Sequence, residues 1–414
     1  MQPQTIEAGS PPRWNALQRL GLRFLFAYFL LFVLTGEEVR EIPLLTPLFE
    51  KYTEIWHAIA VWVGKHLLGI RHPIPLDGDG SGDTTFRWLL LVCYPVLAAV
   101  VAVVWTALDR KRDERSGAWL RFLLRFTLAT ALIIYGMSKV IPNQMPAPRP
   151  VMLLQRFGEL TPMRLLWTYM GASTPYQIFT GLAELLGGVL LLVPRTTLLG
   201  ALVAFADMTM VLLLNLCYDV PVKINSFHYW IMALVLIAPD ARRLLDALVL
   251  NRVVEPAAPV PLFERARRER AAQILFLIFG IYLIGVSAVE GIERYRERNP
   301  PKLPFYGSWT VEEFAVDGKD VPLHTDPQRW RWAVFQDAGR LTVKQMIGSF
   351  RQYPLAWDRD LKTMRLGKDR LSVAAPEPDV LVLEGALEGR PLRAKLRRMA
   401  LRPSFHWLYD PEIE

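Results

Sequence analysis

Cysteine is nearly absent from this chain of 414 residues: there are two, Cys93 and Cys217. Two cysteines cannot build a disulfide framework, and neither sits in a C-x-x-C pair. A redox pair between them would need Cα atoms within ~7 Å; the competing reading is two small buried hydrophobes. No H-E-x-x-H, Walker loop or nucleophile–base motif occurs anywhere. That removes the common zinc-hydrolase, P-loop and serine- or cysteine-nucleophile chemistries. A basic stripe interleaved with aromatics is also missing, so the net charge of +8 does not point to nucleic acid. The basic residues gather instead at the ends of apolar runs, where they orient helices against a membrane.

What is abundant is apolar sequence. The hydrophobic fraction is 52%, and it is clumped into runs approaching the ~20 residues a helix needs to cross a hydrocarbon core. Seven spans follow: Leu20–Thr35, Phe86–Leu108, Trp119–Ile141, Tyr176–Val193, Thr197–Leu216, Val222–Ala238 and Ala271–Val289. No small-x-small cleavage site follows the first, which reads as an uncleaved signal anchor. Between the first two spans, Trp56–Ile70 predicts a short amphipathic helix with Trp56 and Trp62 at headgroup level. A second short helix is expected near Met163–Met170, at the outer surface. The cationic block from Arg110 to Arg115, and the arginines between 242 and 270, mark cytoplasmic loops. The expected topology has the N-terminus inside and the C-terminal region outside.

From residue 303 the pattern changes to short alternating stretches: Trp309–Phe314, Arg329–Phe335, Leu341–Met346, Val380–Leu383 and Leu392–Leu396. Asp317-Gly318, Ala338-Gly339 and Glu388-Gly389 punctuate them as turns. Roughly eight strands make a small antiparallel barrel or sandwich. The opening Gly307-Ser308-Trp309 resembles the G-x-W start of lipocalin-type barrels. The expected organisation is therefore 1–118 with two spans and an outer amphipathic segment, 119–240 with four spans, 241–302 with a basic loop and the last span, and 303–414 as an extracytoplasmic β domain.

Ionisable residues inside apolar runs are costly and usually face the bundle interior. At 1.5 Å per residue, Glu184 and Asp207 lie ~15 and ~16 Å from the Pro194 turn, near the bilayer midplane, with His228 at similar depth. They are candidate proton-handling groups, with His228 as relay; the alternative is hydrogen-bonded packing glue. Lys139 and Lys223 fall at the outer interface, with Tyr135, Asn143, Gln144 and the turn Cys217-Tyr218-Asp219-Val220-Pro221-Val222-Lys223. This group is the candidate ligand-binding rim, with the lysines as headgroup donors and the acids ~10 Å deeper as the floor; a local Asp219–Lys223 ion pair and snorkelling lysines are the simpler account. Asp77, Asp79, Ser81 and Asp83 alternate as at the start of a calcium loop, but Trp88 stands where the bidentate glutamate belongs, so a plain turn competes.

Three stretches together carry a family resemblance: Tyr135-Gly136-Met137-Ser138-Lys139-Val140-Ile141-Pro142-Asn143-Gln144-Met145, Gly181-Leu182-Ala183-Glu184-Leu185-Leu186-Gly187-Gly188, and the 217–223 turn. They resemble the DoxX-like membrane proteins, best over 119–240. The resemblance implies a four-helix membrane core in a bacterial plasma membrane. Some relatives are redox-associated, in thiosulfate:quinone oxidoreductase or oxidative-stress complexes, so a quinone and a membrane or periplasmic redox partner become expectations; the cysteine-poor chain offers no sulfur-transfer nucleophile. The competing expectation is a non-enzymatic membrane scaffold or accessory protein.

Overall fold

The computed structural model describes residues 15–36, 46–76, 82–109, 114–256, 260–300, 305–337 and 339–399. The chain divides into two compact units, one of residues 1–144 and 175–292, the other of 145–174 and 293–414.

The first unit is helical: α1 (Ala16–Leu34), α2 (Thr46–His66), α3 (Thr85–Leu108), α4 (Glu114–Val140), and, after the part that belongs to the second unit, α7 (Thr174–Leu192), α8 (Thr197–Cys217), α9 (Lys223–Ile237), α10 (Ala241–Leu244) and most of α11 (Ala266–Arg298). Six of these (α1, α3, α4, α7, α8 and α11) are long and apolar enough to cross a membrane. The molecule is a multi-pass helical bundle with a β-barrel, as the apolar runs and the alternating tail predict.

α9, on the predicted sixth span, has only 15 residues and is not among the six helices long and apolar enough to cross a membrane. At its start the Asp83 carboxylate accepts from the backbone N–H of Lys223 (2.9 Å) and Ile224 (3.0 Å), which caps the helix and tethers it to the start of α3. At the other end, past a 3₁₀ turn at Ala238–Asp240, the Asp240 carboxylate meets Arg243 and stands 3.9 Å from Arg121 near the start of α4. From 223 to 240 a helical rise covers ~27 Å, close to a hydrocarbon thickness.

α2 departs from expectation. It begins at Thr46, ten residues before the predicted start, and ends at His66. Its buried stripe Phe49, Thr53, Trp56, Ala60 and Gly64 recurs every three or four residues. Trp56 is therefore buried, edge-on to Tyr94 of α3 at 4.7 Å; Trp62, on the opposite face, is exposed.

The second unit combines α5 (Pro150–Leu153), α6 (Pro162–Ala172) and nine strands: β1 (Gly307–Val316), β2 (Lys319–Asp320), β3 (Trp330–Asp337), β4 (Arg340–Gln345), β5 (Phe350–Trp357), β6 (Thr363–Leu366), β7 (Asp369–Glu377), β8 (Val380–Leu387) and β9 (Arg390–Arg398). Each main strand pairs antiparallel with the next in an up-and-down order, and β9 returns to β1, closing an eight-stranded barrel with the two-residue β2 appended. Closure abolishes the sheet edges. The expected hairpin residues turn the chain: Asp317 and Gly318 have φ of 55° and 71°, Glu388 and Gly389 of 54° and 77°, the left-handed pair that a two-residue turn demands. Ala338 lies outside the described residues. The barrel interior is filled by apolar side chains, among them Trp309, Trp330, Phe335, Met364 and Leu383. Trp309, the tryptophan of the opening triplet, is fully buried, gives its indole N–H to Phe305 O, and carries the Arg398 guanidinium 4.4 Å over its ring.

Lys344 explains why residues 145–174 belong with the barrel. On β4, Leu341 and Val343 face the interior core while Thr342 and Lys344 are also buried. Something must cover the outer face, and it is this segment: Lys344 Nζ donates to Leu154 O at 2.8 Å and lies 3.9 Å from Glu159. Val151 N–H likewise donates to Gln336 Oε1 at 3.1 Å. The Lys344 ammonium also sits 4.8 Å from the Phe350 ring centre and 5.4 Å from that of Trp332. Burial pulls its pKa below the ordinary lysine value, with Glu159 opposing. The sequence expectation placed 145–174 within the four-span segment instead.

Candidate functional site

Glycine spacing builds the site. A Cβ on Gly136 of α4 would lie 2.8 Å from Leu185 N and 2.9 Å from Gly181 O; one on Gly181 would lie 2.7 Å from both Gly136 O and Lys139 Cβ. The α4 and α7 backbones thus touch, as small residues permit in bundles. The contact lays the Lys139 side chain along α7, where its ammonium pairs with Glu184 Oε1, one turn beyond Gly181. The lysine and glutamate side chains are 7% and 2% exposed.

α7 and α8 form a second tight contact. A Cβ on Gly200 would stand 2.9 Å from Leu191 N, and one on Gly187 3.5 Å from Ala204 N. The same antiparallel register sets Asp207 opposite Glu184, and Asp207 feels the charges of both Glu184 and Lys139. Lys139 therefore pairs with Glu184, while Asp207 lies near enough to feel both charges. Glu184 Oε2 and Asp207 Oδ2 are buried and meet no hydrogen-bond donor; on α8, Asn215 Nδ2 is buried without an acceptor. Buried acceptors of this kind are costly unless a proton or a donating ligand completes them.

The expected rim and floor are rearranged. Lys139 belongs with the acids, because the Gly136–Gly181 contact lets its stem run inward from the helix end. Lys223 stays apart: its Nζ is 2.7 Å from Asp219 Oδ1 and 3.8 Å from Asp83 Oδ2. Asp219 is 82% exposed with φ of 50°, so the turn is a locally paired loop. Asn143 ties α4 to α11, donating to Gly291 O at 2.7 Å. Gln144 accepts from Ser138 Oγ at 3.2 Å, and the same hydroxyl donates to Tyr135 O at 2.7 Å. Tyr218 is half-buried and caps α8, its N–H donating to Leu214 O. Cys217 is exposed, Cys93 half-buried, and both are free thiols.

His228 does not relay to the acids. Its Nδ1 contacts Ile224 O at 2.6 Å, which makes that nitrogen the N–H donor, and Nε2 contacts Tyr28 Oη at 2.7 Å. Its ring stacks on Phe32 at 3.9 Å, so both nitrogens are spent on its own helix and on α1. The calcium reading also loses its described member: the Asp83 carboxylate caps α9, and Asp77, Asp79 and Ser81 lie outside the described residues. Among the described residues no His, Cys, Asp and Glu group has metal-binding geometry.

The sequence reading overlooked two arginines within spans. Arg23 gives Nη1 to Trp105 O and Asp109 O, and Arg125 gives Nε and Nη2 to Leu191 O and Nη2 also to Leu192 O. Both guanidiniums donate to carbonyls at a neighbouring helix end. A charged residue inside an apolar run was the signal available.

Comparison with known proteins adds kinship without an activity. Over 130 residues the chain is 33% identical to the Bacillus subtilis (strain 168) protein YwoB, covering 77% of YwoB and 29% of the present chain. The chain belongs to the YwoB family. YwoB is itself described as uncharacterised, so membership in its family carries no reaction. No family model matches the chain, and no solved structure matches it.

Proposed function

We propose that this protein is a redox-associated subunit of a bacterial plasma membrane, with a quinone-type headgroup bound at Lys139, Glu184 and Asp207 in the α4–α7–α8 core. The observation that carries the reading is the incomplete polar cluster: one ammonium, two carboxylates and two buried oxygens without donors. Such a headgroup supplies a two-electron, two-proton couple. Lys139 can donate a hydrogen bond to a carbonyl oxygen, while Glu184 Oε2 and Asp207 Oδ2 can accept hydroxyl protons or return them. Electrons would come from a membrane or periplasmic redox partner. The likeness of the glycine-rich α7 and the Lys139 stretch to DoxX-like proteins supports the same reading.

The proposed orientation keeps the N-terminus cytoplasmic and the barrel outside, from the arginines between 242 and 270. The grouping of 145–174 with the barrel supports it. With 145–174 and the barrel in one compact unit on one side, the chain between them crosses an even number of times, which α7, α8 and α11 satisfy when the shorter α9 crosses as well.

A second reading, a non-enzymatic scaffold, is favoured by the Gly136–Gly181 contact, where the backbones leave no space between α4 and α7. Binding of a short-chain quinone to the purified protein in lipid nanodiscs separates the two. Saturable binding that weakens at least about tenfold in both Glu184→Gln and Asp207→Asn supports the redox reading. No binding, with both variants folded and as active in cells as the parent, leaves the scaffold.

A further inference from the structure

At the end of the bundle where α4 begins and α7 ends, a cleft of about 170 Å³ opens between α4, the α7–α8 turn, α11 and residues 260–262. Its polar wall is Arg121, Arg125, Thr197, Gln273 and the Glu269 carboxylate; its apolar wall includes Phe122 and Phe276. Arg125 is held rigidly, with Nε and Nη2 on the α7 carbonyls and its guanidinium 5.5 Å from the Phe276 ring centre. Its hydrogen bonds leave Nη1 unused. Arg121 is 31% exposed and stands 3.9 Å from Asp240, beyond hydrogen-bond length. Guanidinium donors remain here without strong partners.

The charges can be counted. Asp240 pairs directly with Arg243. The Glu269 carboxylate is turned to Phe263 N–H (3.1 Å) and Gln273 Nε2 (2.8 Å). Arg121, Arg125 and Arg243 against Asp240 and Glu269 leave one positive charge, which one phosphodiester would neutralise. Val260, which lines the cleft, is exposed, and on the face of α11 turned away from the cleft Ile274, Leu275, Ile278 and Ile281 are exposed as an apolar surface.

We propose that this cleft binds a phosphate anion, supplied as the headgroup of an anionic phospholipid. Basic pockets between membrane helices at a cytoplasmic face suit such headgroups, and guanidinium is the side chain best matched to phosphate oxygens. The inference is independent of the proposed quinone site.

The test uses the full-length protein, delipidated in a neutral detergent, with dihexanoyl phosphatidylglycerol, dihexanoyl phosphatidylcholine and inorganic phosphate as separate probes in native mass spectrometry. Phosphatidylglycerol is expected to bind, and phosphatidylcholine at least about tenfold more weakly. Arg121→Gln should weaken phosphatidylglycerol binding about tenfold or more, and Ala272→Trp, which fills the cleft without removing charge, should do the same. Arg267→Gln, an exposed arginine outside the cleft, should leave binding unchanged. Saturation by inorganic phosphate at equal affinity, lost in Arg121→Gln, would support the anion site and overturn its lipid source. No phosphatidylglycerol selectivity, or identical binding in the parent, Arg121→Gln and Ala272→Trp proteins, would overturn the proposal.

Discussion

Removing Lys139 should destabilise the bundle far more than removing it together with its partner. The Lys139 and Glu184 side chains are 7% and 2% exposed, so neither is screened by water. In Lys139→Met the Glu184 carboxylate loses its ion pair while Asp207 remains nearby, and a buried charge left this way costs about 3–5 kcal/mol. Glu184→Gln alone strands the ammonium beside Asp207, which partly compensates, so the expected loss is smaller, about 1–3 kcal/mol. The double variant Lys139→Met/Glu184→Gln buries no unpaired member of this couple. Its loss of stability should therefore be smaller than the sum of the single losses by about 2 kcal/mol or more. Unfolding in mixed micelles with increasing sodium dodecyl sulfate, followed by tryptophan fluorescence, measures all four corners of the cycle. Additive losses, or less than about 1 kcal/mol for Lys139→Met, would refute a buried ion pair between α4 and α7. The double variant also divides the functional readings, because a stable fold that has lost quinone binding means the pair belongs to a site.

Other outcomes follow from particular contacts. Gly181→Leu should prevent α4–α7 closure and abolish folded protein, since even a Cβ meets backbone at 2.7 Å, whereas Gly285→Ala, with nothing within 4 Å, should leave yield and unfolding midpoint unchanged. Asp83→Ala should cost about 0.5–2 kcal/mol through the lost α9 cap, measured by the same titration, with Asp83→Asn retaining most of it. The depressed pKa of Lys344 means that the unfolded chain holds this proton more tightly than the folded one. Stability should therefore rise with pH between the folded pKa and the ordinary lysine value of 10.5, and Lys344→Met should lack that increment in thermal melts of the full-length protein. Cys217 is exposed and Cys93 half-buried, so a membrane-impermeant maleimide applied to intact spheroplasts should label the parent but not Cys217→Ser if the α8–α9 turn faces outward.

Sequence alone determined the elements whose cause is local. Apolar runs of bilayer length fell on the six helices long and apolar enough to cross a membrane, with a seventh run on the shorter α9 and the last helix extending nine residues beyond the expected end, because a helix is the only open-chain way to satisfy backbone polar groups in hydrocarbon. Alternation and the Asp317-Gly318 and Glu388-Gly389 turns announced the barrel, since those φ values belong to few residue types. Glu184 and Asp207 stood out by their cost inside apolar runs. β5, β6 and β7 were not among the expected stretches: Pro354 and Pro376 interrupt β5 and β7, and β6 has only four residues, yet each is held by both neighbours. Which polar groups meet was decided only by tertiary structure. Helix rise gives depth along an axis but says nothing of rotation or closeness, so Lys139 was assigned to the rim with Lys223. Two glycines facing each other let α4 and α7 touch, and that contact carries Lys139 to Glu184. The opposite case is His228, whose depth matches the acids but whose rotation turns it to Tyr28. The fate of 145–174 was equally non-local: it is settled by a lysine on the outer face of β4, almost two hundred residues along the chain, whose burial needs a covering backbone carbonyl.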